Sequence, residues 1–271
     1  MTPSRRQTLR GNVAPEMSAP STSTSSTTPP ARGANLLVPV AADYLAQTVS
    51  RQLADAINLG LFAVGEQLPA ESTLAGQLGV STVTLRDALA TLRRKGLVET
   101  RRGRNGGSFV VGPAAPPTDR LRDRLRELSV VELRDLGDEW TAVSGAAARF
   151  AAARASDDEV AHLRALADDL AAAGDVVQRV RANSRFGIEL ALASQSARLT
   201  RAEVRLQAES GELLWTSTES PLDPAEVAAD LHRIADAVAD EDALAARDLA
   251  EQRTRQNVRW LIGAHLELSD S

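Results

Sequence analysis

From Asp43 onward the apolar positions fall into a four-residue rhythm. Leu45, Val49, Leu53 and Ile57 recur on one side of a helix that is expected to end near Gly60. A second helix is predicted to open at Pro69 and close at Gly79. Ser81 is an N-cap for a third helix, with Leu85, Leu89 and Leu92 on its buried side and Gly96 as its stop. The runs LVETRR and SFVV then flank GRNGG, which is the pattern of a β-hairpin. A Pro-rich stretch, Gly112 to Asp119, follows as a linker. Beyond it Ala, Leu, Arg, Asp and Glu recur at helical spacing without a strand signal. Breaks near Gly137, Ser156, Gly174 and Ser220 to Pro224 divide this part into six or seven helices. The expected fold class is mainly α. A winged helix-turn-helix over 41–111 precedes an antiparallel helical bundle over 120–266.

Composition supports this division. A chain of 271 residues accommodates two domains, and its 43% hydrophobic share with only 3% aromatics puts the apolar burden on Ala and Leu, which favour helices. Residues 1–40 form a low-complexity tail, Ser/Thr/Pro-rich from Ser18 to Gly33, that cannot bury a core and is expected to be disordered. Translation can begin at Met1 or at Met17. The absence of cysteine excludes disulfides and thiolate-bound zinc. No apolar run reaches the roughly 18 residues that cross a bilayer, and no apolar segment follows Arg5 and Arg6, so a cytoplasmic protein with no membrane partner is expected. The net charge of −5 is unevenly spread. Residues 1–40 carry four Arg against one Glu, and 41–112 carry eight basic against six acidic side chains, whereas 113–271 carry nineteen Arg against twenty-nine acids. An acidic body behind a basic front orients towards a polyanion.

The segment Gly65 to Val111 carries the candidate chemistry. Two helices joined at a tight Gly turn can place the second in a DNA major groove. Leu74, Leu78, Val80, Leu85 and Leu89 pack the pair, leaving Ser81, Thr82, Thr84 and Arg86 towards the outside. Short hydroxyls and a guanidinium reach phosphates and base edges there. Arg101, Arg102 and Arg104 charge the hairpin, and Gly103, Gly106 and Gly107 permit close approach at its tip. Ser81, Thr82, Thr84, Arg86, Arg102, Arg104 and Gly106 are therefore the candidate contacts with double-stranded DNA. LPAE (Leu68 to Glu71), GVS (Gly79 to Ser81), Thr84, Arg86, KGLVE (Lys95 to Glu99) and Gly106 to Val110 together resemble the GntR family of bacterial repressors. Two positions depart from that pattern: Ser72 and Thr82 stand where the family usually has arginine.

The second part resembles, more loosely, the helical FCD effector domain of FadR-like GntR regulators, through Phe150 to Leu166, Asn183 to Leu199 and Asp230 to Ala246. The resemblance implies a bundle that pairs into a homodimer on a palindromic operator and holds a small organic acid, frequently through a divalent metal on one Asp and three His. Carried over position by position, those ligands fall on Asn183, Gly187, Leu231 and Arg253, and a pocket arginine falls on Trp140. Gly and Leu have no donor and Arg repels a cation, so the metal site is expected to be lost and no cofactor is expected. Trp140, Asn183, Phe186, Leu231 and Arg253 are the candidate effector pocket, expected to be drier than the family norm. The expected effector is a different small molecule, larger or less acidic than the family's. The alternative is a bundle that dimerises without sensing a ligand. His162 and His232 read as surface residues and His265 as a helix cap. The single lysine, Lys95, lies in the head, and no nucleophile and base converge, which argues against an enzyme.

Overall fold

Helix α1 (Ala42–Asn58) buries Val49, Leu53 and Ile57 as the spacing requires, while Leu45, at its exposed first turns, stays in solvent. A computed structural model describes residues 42–103, 106–112, 118–216, 218 and 221–269, so the expected tail over 1–40, Arg104 and most of the linker lie outside the described residues. Helix α2 (Glu71–Leu78) ends because Gly79 adopts the left-handed conformation at φ 66°. Helix α3 (Thr82–Arg94) starts at Ser81, whose Oγ accepts from the Thr84 N–H at 3.1 Å. Strands β1 (Val98–Arg101) and β2 (Gly107–Val110) pair antiparallel, from Val98 opposite Val110 to Arg101 opposite Gly107. The segment before α2 lies along β2: the Leu68 N–H donates to the Ser108 carbonyl, and the Val110 N–H to that of Glu66, both at 2.9 Å. One core of Leu53, Ile57, Leu74, Leu85, Leu89, Leu92, Val98 and Val110 joins these elements into a winged helix-turn-helix.

The remaining described residues form a helical bundle with its own core. Its helices are α4 (Thr118–Glu127), α5 (Val130–Ala151), α6 (Asp157–Ala171), α7 (Val176–Ala193), α8 (Ala197–Ser210), α9 (Pro224–Ala239) and α10 (Ala243–Ser269), with a short 3-10 turn at Leu213–Trp215. Local sequence fixes most starts. Ser129 with Glu132, and Ser156 with Glu159, make reciprocal capping boxes, Asp175 caps α7, and Asp223 caps α9 ahead of Pro224. Helix α5 lies along α10, and α6 packs against α7 and α9.

Three expectations need correction. Gly137 does not break a helix; it sits buried inside α5 at the crossing with α10, where an added Cβ would lie 2.7 Å from both methyl carbons of Val258. The glycine is there to let two helices approach. His265 is not a terminal cap but an interior residue of α10, its Nδ1 3.0 Å from the Leu125 carbonyl oxygen. Helical structure already begins at Thr118, inside the expected linker. Because Val258 is β-branched and stiff, Gly137→Ala is expected to lose about 1 kcal/mol of stability despite the better helix propensity of alanine. Gly263→Ala, on the same helix as Val258 with nothing within 4 Å of the new methyl, is expected to gain about 0.5–1 kcal/mol. Urea midpoints of the two variants check both signs.

Candidate DNA-reading surface and bundle cavity

The tip of α3 is shaped by its own cap. The hydroxyls of Ser81 and Thr84 lie 2.9 Å apart, so both are engaged with each other as well as with the helix start. Arg86 is held by Glu71 of α2, with Nε donating to Oε2 at 2.7 Å. Such an exposed pair is worth only about 0–1 kcal/mol, so a phosphate can compete for the guanidinium. Of the four candidates at the start of α3, Thr82 alone is both exposed and without a side-chain hydrogen-bond partner among the described residues. Beside it stands Val83, 65% exposed in the first helical turn. Sequence reasoning passed over Val83 because an apolar residue near a helix start is ordinarily assigned to a core. The signal was its position, two residues before the buried Leu85 and off the Leu85, Leu89, Leu92 face.

On the hairpin Arg102 and Arg101 are both exposed, but Arg101 is engaged within the hairpin. Its Nε donates to Glu99 at 2.8 Å and its guanidinium covers the Phe109 ring at 4.2 Å. Gly106 is crowded: an added Cβ would lie 2.6 Å from the Arg101 carbonyl oxygen and 2.9 Å from that of Gly103. Its N–H donates to Gly103 O at 2.9 Å, and its own carbonyl accepts from Gln67 Nε2 at 3.0 Å. The glycine is thus required by the turn itself. Arg94 and Lys95, at the end of α3, add exposed positive charge.

In the bundle, Trp140, Asn183, Phe186, Leu231 and Arg253 all line one internal cavity of about 40 Å³. They come from α5, α7, α9 and α10. A larger open cleft of about 720 Å³, beside Gly60 to Val64 and Arg181, contains none of them. The expected dryness is contradicted. Ser144, Glu203, Gln207, Thr254 and Asn257 also line the cavity, because α8 and α10 turn polar side chains inward. Glu203 is 1% exposed. Its Oε1 accepts from Trp140 Nε1 at 3.2 Å and from Gln207 Nε2 at 2.8 Å. Burial pushes its carboxyl above the usual carboxylate range, against the opposing hydrogen bonds of Gln207, Trp140 and Ser144. Arg253 is also buried. It donates to Asp230 Oδ2 at 3.0 Å and to Asn257 Oδ1, and desolvation lowers its pKa while Asp230 opposes the shift.

The residues at the family's metal-ligand positions do not fit a divalent cation. The space a side chain at Gly187 would occupy lies 2.7 Å from Gln207 Nε2 and 2.7 Å from Glu203 Oε1. Leu231 is buried and has no donor, and Arg253 brings a guanidinium. His232 is turned to the surface, with Nε2 3.0 Å from Asp168 Oδ1. Among the described residues no three His, Asp or Glu side chains gather as a ligand set.

Residues 45–110 match the family described as bacterial regulatory proteins, gntR family, and residues 141–256 match the FCD domain. The chain is 41% identical over 225 residues to RmpR of Mycobacterium gastri, named as an HTH-type transcriptional regulator, a span covering 82% of each chain. It is 41% identical over 75 residues to the HTH-type transcriptional repressor NanR of Escherichia coli, 27% of this chain and 28% of NanR. Among solved structures, Escherichia coli McbR/YncC aligns over 83% of this chain and 98% of its own, with 20% identity and a TM-score of 0.49. The chain belongs to the GntR family of bacterial regulatory proteins and carries an FCD domain. It is a DNA-binding transcriptional regulator rather than an enzyme. No helix among the described residues is long and apolar enough to cross a membrane.

Proposed function

We propose that the protein is a repressor that binds a palindromic operator as a homodimer and is released by a small-molecule effector held, without a metal, in the bundle cavity. The reading is carried by the tip of α3, where Thr82 and Val83 are exposed beside Arg86 on a capped helix start. A hydroxyl, an apolar branch and a guanidinium serve base edge, thymine methyl and phosphate respectively. The wing adds Arg102, and Gly106 holds its turn. Convergence of Trp140, Asn183, Phe186, Leu231 and Arg253 on one cavity supports effector binding in the bundle. The likeness of the head to NanR, a transcriptional repressor, supports the sign of regulation.

The test is fluorescence anisotropy with duplex from upstream of the protein's own gene. Affinity is expected to fall steeply with salt. Arg102→Ala is expected to lower the slope of log affinity against log salt by about 1. Val83→Ala is expected to cost about 1 kcal/mol, and replacing one contacted thymine by deoxyuridine is expected to cost the parent, but not the variant, a similar amount. A complex indifferent to salt and to both substitutions would end the proposal.

A further inference from the structure

The cavity in the bundle is built around a pair of side chains that are not fully paired. Glu203 and Gln207 stand one turn apart on α8 and both are buried. Gln207 spends its amide N–H on Glu203 Oε1. With the Ser144 hydroxyl beside the carboxyl, Glu203 Oε2 and Gln207 Oε1 are then buried acceptors that no hydrogen bond of ordinary geometry satisfies among the described residues. Two glycines clear space for this pair. A Cβ at Gly187 would meet Gln207 Nε2 and Glu203 Oε1, each at 2.7 Å, and one at Gly211 would lie 3.2 Å from Gln207 Oε1. Buried polar atoms without partners are rare in folded proteins and mark places where a further group belongs. Once Glu203 is ionised, as at the pH 8 at which binding is tested, the missing group has a definite chemistry, since two free acceptors call for hydrogen-bond donors.

We propose that Glu203 and Gln207 form the recognition element of the cavity, and that it takes a small ligand presenting two adjacent donors, amine or hydroxyl, in place of a metal-held acid. The inference rests on the reading of the cavity as the effector site and names the ligand class of that site. A free carboxylate ligand would face Glu203 as a second acceptor, and Arg253, the one cation lining the cavity, is already committed to Asp230 and Asn257. Size restricts the class further. A volume of about 40 Å³ holds roughly three or four non-hydrogen atoms, given the ~10–15 Å³ that one water needs.

Saturation-transfer NMR on the full chain at pH 8 tests this with three probes: ethanolamine, ethane-1,2-diol, and malonate with zinc. Ethanolamine and the diol are expected to bind the parent chain. Both should weaken at least tenfold in Glu203→Leu and in Gly187→Ala, the second of which keeps the carboxyl group but crowds the pair. Glu203→Gln should lose ethanolamine, which needs the carboxylate, and keep the diol. Unchanged binding in all three variants would place the probes elsewhere and overturn the proposal. Binding of malonate with zinc alone would overturn the donor chemistry while the effector reading stands. Binding of none of the three would overturn both.

Discussion

At pH 8 the variant Glu203→Gln is expected to be more stable than the parent chain by about 1–3 kcal/mol, the usual cost of a buried polar group without full compensation. The reason is that the folded state holds the Glu203 carboxyl above its ordinary range, chiefly by desolvation. A carboxyl raised on folding binds its proton more tightly in the native state than in the unfolded chain. Its contribution is therefore intact below the unfolded value of 4.5 and is lost as pH rises through the folded value. Gln207, Trp140 and Ser144 reduce this loss without removing it. Glutamine keeps the neutral form at every pH, so the gap between variant and parent should be small near pH 4.5, widen upwards and then level. Asp55 and Glu212 are also raised by burial. They act on both proteins alike, so only the difference between the two urea curves is diagnostic. A gap of constant size from pH 5 to pH 8 would mean that hydrogen bonding rather than ionisation sets the stability.

That carboxyl was invisible to sequence reasoning for a physical reason. The α8 segment RLTRAEVRLQAES carries its charges at ordinary surface density. A glutamate at helical spacing is normally solvated, and only the fold reveals which face turns inward. Yet Glu203, Leu206, Gln207 and Ser210 are the buried residues of that helix, spaced by three, four and seven. Polar groups on a core-facing stripe were the available signal. The head was easier to read because its instructions are local. A serine cap, a left-handed Gly79 and a hairpin around glycines each act within a few residues. Gly137 failed for the opposite reason. Its role depends on Val258, more than a hundred residues away, and spacing along one helix cannot report a crossing partner. The five cavity residues were found through family resemblance rather than periodicity. The structure gathers them, but it also brings Glu203 and Gln207 into a space that had been expected to be drier.

The head carries the other large expected effect. Gly106→Ala should weaken DNA binding by about 2–3 kcal/mol, on the order of fiftyfold or more, while changing the urea midpoint of the bundle little. The new methyl would come within 2.6 Å of the Arg101 carbonyl oxygen, 2.9 Å of the Gly103 carbonyl oxygen and 3.1 Å of the Gly103 nitrogen. All three are backbone atoms, so no flexible side chain can yield and the turn itself must open. Opening it threatens the Gly106 N–H to Gly103 bond and the Gln67 bond to the Gly106 carbonyl, which tie the wing to the segment ahead of α2. Arg102 then leaves the position from which it would meet phosphate. The bundle has a separate core and should not register the change. Gly76→Ala is the matched control. That residue is inside α2 with nothing within 4 Å of an added methyl, so alanine there is expected to hold or slightly raise stability and to leave operator affinity intact. Anisotropy titrations at fixed salt separate the two variants. Equal affinity for parent and Gly106→Ala would mean that the wing takes no part in binding, and that the tip of α3 carries the operator alone.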